Sequence, residues 1–258
     1  MSEASRRHPT TYGWRAKLGV IVPPTNTVNE VEWQLMVPAG VSVHATRMPL
    51  HEDTTSAAGK RTSAAGKRGL YDDVRLATSD LAQAGVDSIA YGCTAGSMVL
   101  PIAALSDFMA EVSGVACVTT AASIVNGLKT LGISRIALAT PYHDALNQHE
   151  KSFFASVGID TLAMRGLGIG GGGPQEYPRI ARTPPTVIHD HVVAADCEGA
   201  EAMVISCTDF PVLDMIAQLE DELAKPVVTS NQATFWAALR AAGIDDRFDR
   251  YGTLLRNC

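Results

Sequence analysis

"GVDSIAYGCT", residues 85–94, and "GAEAMVISCT", residues 199–208, carry one pattern 114 residues apart. Glycine falls on glycine, acid on acid, apolar on apolar and Cys-Thr on Cys-Thr. In each, an apolar run of strand length ends in a cysteine followed by a hydroxyl residue. Two further runs match in the same order: "LGVIVPP" (18–24) lies over "IALATPY" (136–142), placing Pro23 on Pro141 at 118 residues. Repeated strand ends in a fixed order indicate a duplicated unit. Apolar periodicity alone does not make the polar letters agree.

Working outward from these runs, strands and helices alternate along the chain. "KLGVIVPP" (17–24) and "VSVHATRM" (41–48) read as strands flanking a helix over 28–37. A long helix around 69–84, a strand at 87–92, a helix near 100–112 and a short strand at 115–118 follow. "AASIVNGLKTLG" (121–132) reads as a helix closed by Gly132 at the position after its C-cap. "RIALATPY" (135–142) is a strand before a helix over 144–156. Strands separated by helices of this length predict an α/β fold with parallel sheets and covering helices. The expected organisation is a polar, frayed leader over 1–16, an N-terminal α/β domain of 17–120 plus 226–258, and a second α/β domain of 121–225. "TSAAGKR" stands twice in tandem, at 55–61 and 62–68, and reads as a slipped duplication in a tolerant loop or as a lid.

Composition narrows the function classes. The 258 residues are 46% hydrophobic, enough for a buried core without staples. No apolar run reaches the roughly 18–20 residues that span a bilayer, and "MSEASRRHPTTYGWRAK" lacks the apolar centre of a secretion signal, so the chain reads as cytoplasmic with no membrane partner. A net charge of −6 and the lack of a basic run argue against nucleic acid. The five cysteines (Cys93, Cys117, Cys197, Cys207, Cys258) are odd in number and form no CxxC pair. A disulfide framework or a zinc site is therefore not expected, and each thiol is either core or chemistry.

If the repeated halves are related by a pseudo-two-fold axis, Cys93 and Cys207 face each other across the cleft between them. Both then sit at strand C-termini, where open α/β sheets bind ligands. Two opposed thiols suit cofactor-free chemistry at a carbon next to a carboxylate. One thiolate removes a proton while the other thiol gives one, which is racemisation. Alternatively a thiolate adds to an activated double bond, the adduct rotates, and the thiolate leaves, which is cis–trans isomerisation. Either needs fixed donors for enediolate-like charge. "PPTNT" (23–27) offers Thr25, Asn26 and Thr27, "TPYHD" (140–144) offers Tyr142, and Thr94, Ala95, Ser97, Thr208 and Asp209 follow the cysteines.

The motifs "IVPPTNT", "YGCTAGS", "ATPYHDALN", "ISCTDF" and "PVVTSNQATFWAALRAAG" resemble the aspartate/glutamate racemase superfamily. They are most similar to its branch of maleate cis–trans isomerases and arylmalonate decarboxylases, over roughly 17–252. The resemblance implies two Rossmann-like domains related by pseudo-two-fold symmetry, a site in the cleft between them, no cofactor, no metal, and a small carboxylic acid as substrate. A homodimer or homotetramer is expected. Cys93 matches the nucleophile of the maleate isomerases and Cys207 the acid/base partner. Asn26 and Tyr142 match residues that hold substrate carboxylates. Arylmalonate decarboxylases keep only the second cysteine, so Cys93 argues against that reaction. Racemisation of an amino acid or hydantoin is the competing activity, and a carboxylate-binding module without turnover is the competing class.

The chain also departs from the family pattern. Maleate isomerases carry a substrate-contacting Asn where this chain reads "GLGIGGGGPQEYPRI" (166–180). The N–H groups of Gly170–Gly173 replace that contact or the substrate differs. Asp209 stands where glutamate racemases have His, and an acid there disfavours a second negative charge unless it holds a water or an amino group. Simpler roles exist for other residues: Asn26 as a helix cap, Tyr142 as a wall, Cys117 as core, Phe235 and Trp236 as the buried face of the closing helix. His143, His189 and His191 have no ligand spacing and read as surface residues. The glycines 170–173 lack the strand–GxGxxG–helix setting of a nucleotide site.

Overall fold

The protein is described from a computed structural model covering residues 10–49 and 64–258. The first copy of TSAAGKR and the start of the second lie outside these residues, as does most of the expected leader. Residues 64–68 of the second copy belong to a helix.

Among the described residues, apolar runs and breakers give eight strands: β1 Ala16–Val22, β2 Val41–Arg47, β3 Ser88–Tyr91, β4 Ala116–Thr119, β5 Arg135–Tyr142, β6 Asp160–Ile169, β7 Ala202–Ile205 and β8 Val227–Thr229. They form two four-stranded parallel sheets, ordered β2-β1-β3-β4 and β6-β5-β7-β8. The second order is the first with four added to each strand. The register repeats too. Leu18 pairs with Ser88 in the first sheet and Ile136 with Ala202 in the second, which are the positions the 118- and 114-residue offsets connect. The duplication read from the sequence is thus built into the hydrogen-bond ladders. Central strands β3 and β7 are buried along their whole length, as parallel strands covered on both faces must be.

The helices are α1 Asn29–Met36, α2 Ala64–Gln83, α3 Thr94–Ser97, α4 Ala104–Ser113, α5 Thr120–Thr130, α6 Asp144–Ser156, α7 Pro185–Val193, α8 Ile216–Leu223, α9 Ser230–Ala241 and α10 Gly252–Asn257. Gly132 follows α5 at φ +74, the left-handed turn that a residue without Cβ takes most cheaply. The helix read from 100 begins at 104, because Pro101 lies in a turn ahead of it. Arg15, within the expected leader, pairs with Asp246 and also donates to the Ala39 carbonyl.

Two helices cross between the halves. α5 and α9 follow the last strand of their own sheets and pack against each other, and α9 also lies on β3 and β4. The strand β8, expected with the N-terminal domain, pairs with β7 in the second sheet. The chain therefore returns to the first half at Ser230, one strand later than 226. Residues 230–239 of α9 are all buried, Phe235 and Trp236 included, so α9 is core all round and has no solvent face.

Candidate active site

Both cysteines stand just past the C-terminal ends of central strands, Cys93 after β3 and Cys207 after β7. Cys93 caps α3: its backbone is extended, and its Sγ accepts from the Gly96 N–H at 3.4 Å. Cys207 is 8% exposed and has φ +120, a backbone region that residues with a Cβ adopt only when their surroundings hold them there. The holding contacts are visible. The Cys207 N–H donates to Ser230 Oγ at 2.9 Å, and its Sγ accepts from the Asp209 N–H at 3.4 Å.

Two hydrogen-bond chains tie the cysteine loops together across the cleft. Ser230 Oγ, at the start of α9, also meets Thr94 Oγ1 at 2.8 Å, so one hydroxyl joins the residue after Cys93 to the backbone of Cys207. Thr208 Oγ1 donates to the Gly92 carbonyl at 3.0 Å and accepts from Asn26 Nδ2 at 3.0 Å. Both chains are buried. A lost partner in such a place leaves a desolvated polar atom, which costs about 1–3 kcal/mol.

The electrostatics assign different characters to the groups. The Cys207 thiol is pushed well above its ordinary pKa, chiefly by burial and next by the Asp209 carboxylate. The Tyr142 hydroxyl donates to Cys207 Sγ and opposes that shift in part. Tyr142 is itself raised by burial and by the charges of Cys207, Glu150 and Cys93. The Cys93 charge thus bears on both Cys207 and Tyr142. Asp209 is raised to about 6 by burial, against backbone N–H donors in the 27–28 turn and the Arg47 charge.

The other predicted residues fall at the same edge but are partly committed. Asn26 Oδ1 accepts from the N–H groups of Val28 and Asn29, capping the turn into α1, and one Nδ2 hydrogen goes to Thr208. One amide hydrogen is left for a ligand. The hydroxyls of Thr94 and Thr208 serve as ties between the loops. Asp209 Oδ1 accepts from the Thr27 N–H at 2.8 Å, whereas its buried Oδ2 has no partner among the described residues. Thr25 is half-buried beside Asn26, and Ala95 lies in α3 after Thr94.

The glycine loop does not offer its amides as expected. The N–H groups of Gly170 and Gly172 both donate to Glu176 Oε2, at 2.8 and 3.2 Å, and Gly173 N–H donates to the Gly170 carbonyl. A carboxylate of this chain fills the cradle, and those donors hold its pKa below the usual range. The loop sits at the same sheet edge, since Ile169 pairs with Tyr142.

Three residues that the sequence reading passed over complete the site. Ser230 is the tie described above. Glu32 in α1 accepts from the N–H groups of Val212 and Leu213 and from Asn231 Nδ2. Glu150 in α6 is fully buried beside Tyr142 and the Ser206 hydroxyl, yet neither of its oxygens has a hydrogen-bond partner among the described residues. These two acids stand 118 residues apart, and so do Asn29 and Asn147. The offset that matched Pro23 to Pro141 would have found both pairs had it been carried into the helices.

No three His, Cys, Asp or Glu side chains among the described residues are grouped to hold a metal. His189 bonds Glu222 and His191 the Thr140 carbonyl. Cys117 is half-buried in β4 against the smaller core cluster. No helix of the described residues is long and apolar enough to cross a membrane.

Comparison with known proteins agrees with this geometry. The family profile described as arylmalonate decarboxylase matches residues 18–255. An arylmalonate decarboxylase of Bordetella bronchiseptica is 36% identical over 143 residues, a stretch covering 55% of this chain and 58% of that enzyme. A maleate isomerase of Pseudomonas putida is 26% identical over 248 residues, covering 93% of this chain and 96% of that one. A crystal structure of arylmalonate decarboxylase superposes with a TM-score of 0.76 at 28% identity, covering 93% of this chain and 98% of the other.

Proposed function

This chain belongs to the arylmalonate decarboxylase family, and from that premise we propose that it is a cofactor-independent cis–trans isomerase of maleate or a close small relative of it. The observation that carries the reading is the pair of cysteines at matched strand ends, just past β3 and β7, with the loops that bear them joined through Thr94, Ser230, Thr208 and Gly92. Maleate isomerases align over nearly the full length at about 25% identity, as does the arylmalonate decarboxylase structure; the presence of Cys93 is what favours isomerisation over decarboxylation.

In this reading the Cys93 thiolate adds to one alkene carbon, and the π pair moves onto the neighbouring carbon as an enediolate with its carboxylate. Cys207, whose raised pKa keeps it a thiol, protonates that carbon. The former double bond rotates as a single bond. Cys207, now a buried thiolate beside Asp209, takes the proton back, and the returning electron pair expels Cys93. No atom is gained or lost, and both cysteines return to their starting states. The remaining Asn26 amide hydrogen, the Tyr142 hydroxyl and the N–H groups after each cysteine orient the substrate. Proton NMR tests this directly: the trans acid accumulates from the cis acid with the native chain and not with Cys93→Ala. Full activity of that variant would overturn the mechanism.

Racemisation remains a second reading, favoured by Asp209, whose acid suits an amino group better than a carboxylate. Deuterium entering the α-carbon of a chiral acid in D₂O, with no turnover of cis alkenes, would select it.

A further inference from the structure

The charge layout around Cys207 bears on which acid this site takes, and the following rests on the isomerase reading. A dicarboxylate needs two sets of donors or cations. Near Cys207 the described residues set one acid, Asp209, beside the Tyr142 and Asn26 donors. Asp209, two residues on, has one oxygen engaged by the Thr27 N–H and the other buried and unpartnered, and its charge reaches Cys207. The glycine loop beside Tyr142 has its Gly170 and Gly172 amides occupied by Glu176. Arg47, at the end of β2 and the cation whose charge acts on Asp209, donates to the Pro23 and Asn26 carbonyls and to Glu30, so its guanidinium is turned to the first loop. A second substrate carboxylate at that end would lie against fixed negative charge, and like charges set together in a desolvated site are strongly disfavoured. A neutral donor would instead satisfy the orphaned Asp209 oxygen. Sites with an unpaired buried acceptor discriminate sharply in favour of a ligand that fills it.

We propose that the preferred substrate is an unsaturated half-amide type acid, one carboxylate and one neutral hydrogen-bond donor across a cis double bond, with Asp209 Oδ2 accepting from the donor. Asp209 is then the residue that sets specificity, and Glu176 closes the alternative anion cradle. The addition, rotation and expulsion steps are unchanged, because an amide carbonyl activates the alkene as a carboxylate does.

The test compares maleate with maleamate, its monoamide, using the full chain at neutral pH and following the trans product by NMR. We expect kcat/KM for maleamate to exceed that for maleate by roughly tenfold or more. Asp209→Asn keeps an acceptor for the Thr27 N–H while removing the charge, and should erase or invert the ratio. Preference for maleate in the native chain, or an unchanged ratio in the variant, overturns the proposal. Binding of the saturated pair, succinamate against succinate, is measured by calorimetry on the same two proteins. If neither alkene turns over, the isomerase reading fails, and the binding ratio alone then decides whether Asp209 selects a neutral donor. Tighter binding of succinamate supports the assignment; equal or weaker binding refutes it.

Discussion

Replacing Glu150 by Gln isolates the free energy of a buried carboxylate with no partner. Burial raises Glu150 from 4.5 to about 7, with the neighbouring Ser206 hydroxyl pulling the other way. A raised carboxyl means that the folded state holds its proton more tightly than the unfolded chain does. The contribution to stability is therefore fully present below pH 4.5 and is lost as pH climbs through about 7. The span of about 2.5 pH units, at about 1.36 kcal/mol each, puts the loss at about 3 kcal/mol. Gln has the shape of the protonated acid and does not titrate. The variant should match the native chain near pH 4.5 and exceed it by up to about 3 kcal/mol at pH 8. Urea denaturation of both proteins at pH 4.5, 6 and 8 measures this. Glu32 and Asp209 are raised as well, so only the difference between the two proteins is informative. A difference that stays constant within about 0.5 kcal/mol across the three pH values would refute the claim that the fold holds the Glu150 proton more tightly than the unfolded chain does.

Other outcomes follow from the same structure. Glu32→Gln should gain less than Glu150→Gln at pH 8, by about 1–3 kcal/mol, because Glu32 is raised to about 7 as well but its new amide meets the Asn231 amide donor to donor; thermal melts compare the two. Ser230→Ala removes the hydroxyl that joins Thr94 to the Cys207 backbone, and should lower kcat several-fold or more with a smaller change in melting temperature, read by steady-state kinetics and calorimetry. Gly166→Ala would put a Cβ 2.2 Å from the Tyr142 carbonyl and 2.1 Å from Asn147 Nδ2. Such overpacking costs about 1–3 kcal/mol or more and should displace Tyr142, seen as lost activity and a lower denaturation midpoint. In alkylation with iodoacetamide near pH 7, Cys207 should react slowly because burial and Asp209 hold it as a thiol; peptide mapping after Asp209→Asn should show it faster.

Much of this could be read from the chain because strand ends carry polar letters that packing does not demand. Pro23 with Pro141 and Cys93 with Cys207 are such letters, and the ladders confirm the registers they imply. Tyr142 stands at such a strand end as well, the last residue of β5. Glu150 escaped notice because "DALNQHEKSFFAS" looks amphipathic, with its acid among Lys and Gln; only tertiary packing shows that this acid faces inward. Ser230 escaped because a hydroxyl at a helix start reads as a cap, whereas Thr229 does the capping and frees Ser230 to reach across. The glycine loop misled in another way: amides that looked available for substrate are taken by Glu176 six residues on, a turn contact that composition does not reveal.

The exchange of α5 and α9 between the halves has a historical meaning. A helix that leaves its own sheet to pack on the neighbour's is what two identical chains do when they swap an element to form a dimer. The protein has the form of such a swapped pair with its two chains joined end to end at residues 131–134. Each half is covered in part by the helix of the other, so cutting the chain at 131–134 would uncover apolar surface on both sides. One copy kept its buried acid pinned by three donors at Glu32, and the other left Glu150 unpinned beside the chemistry.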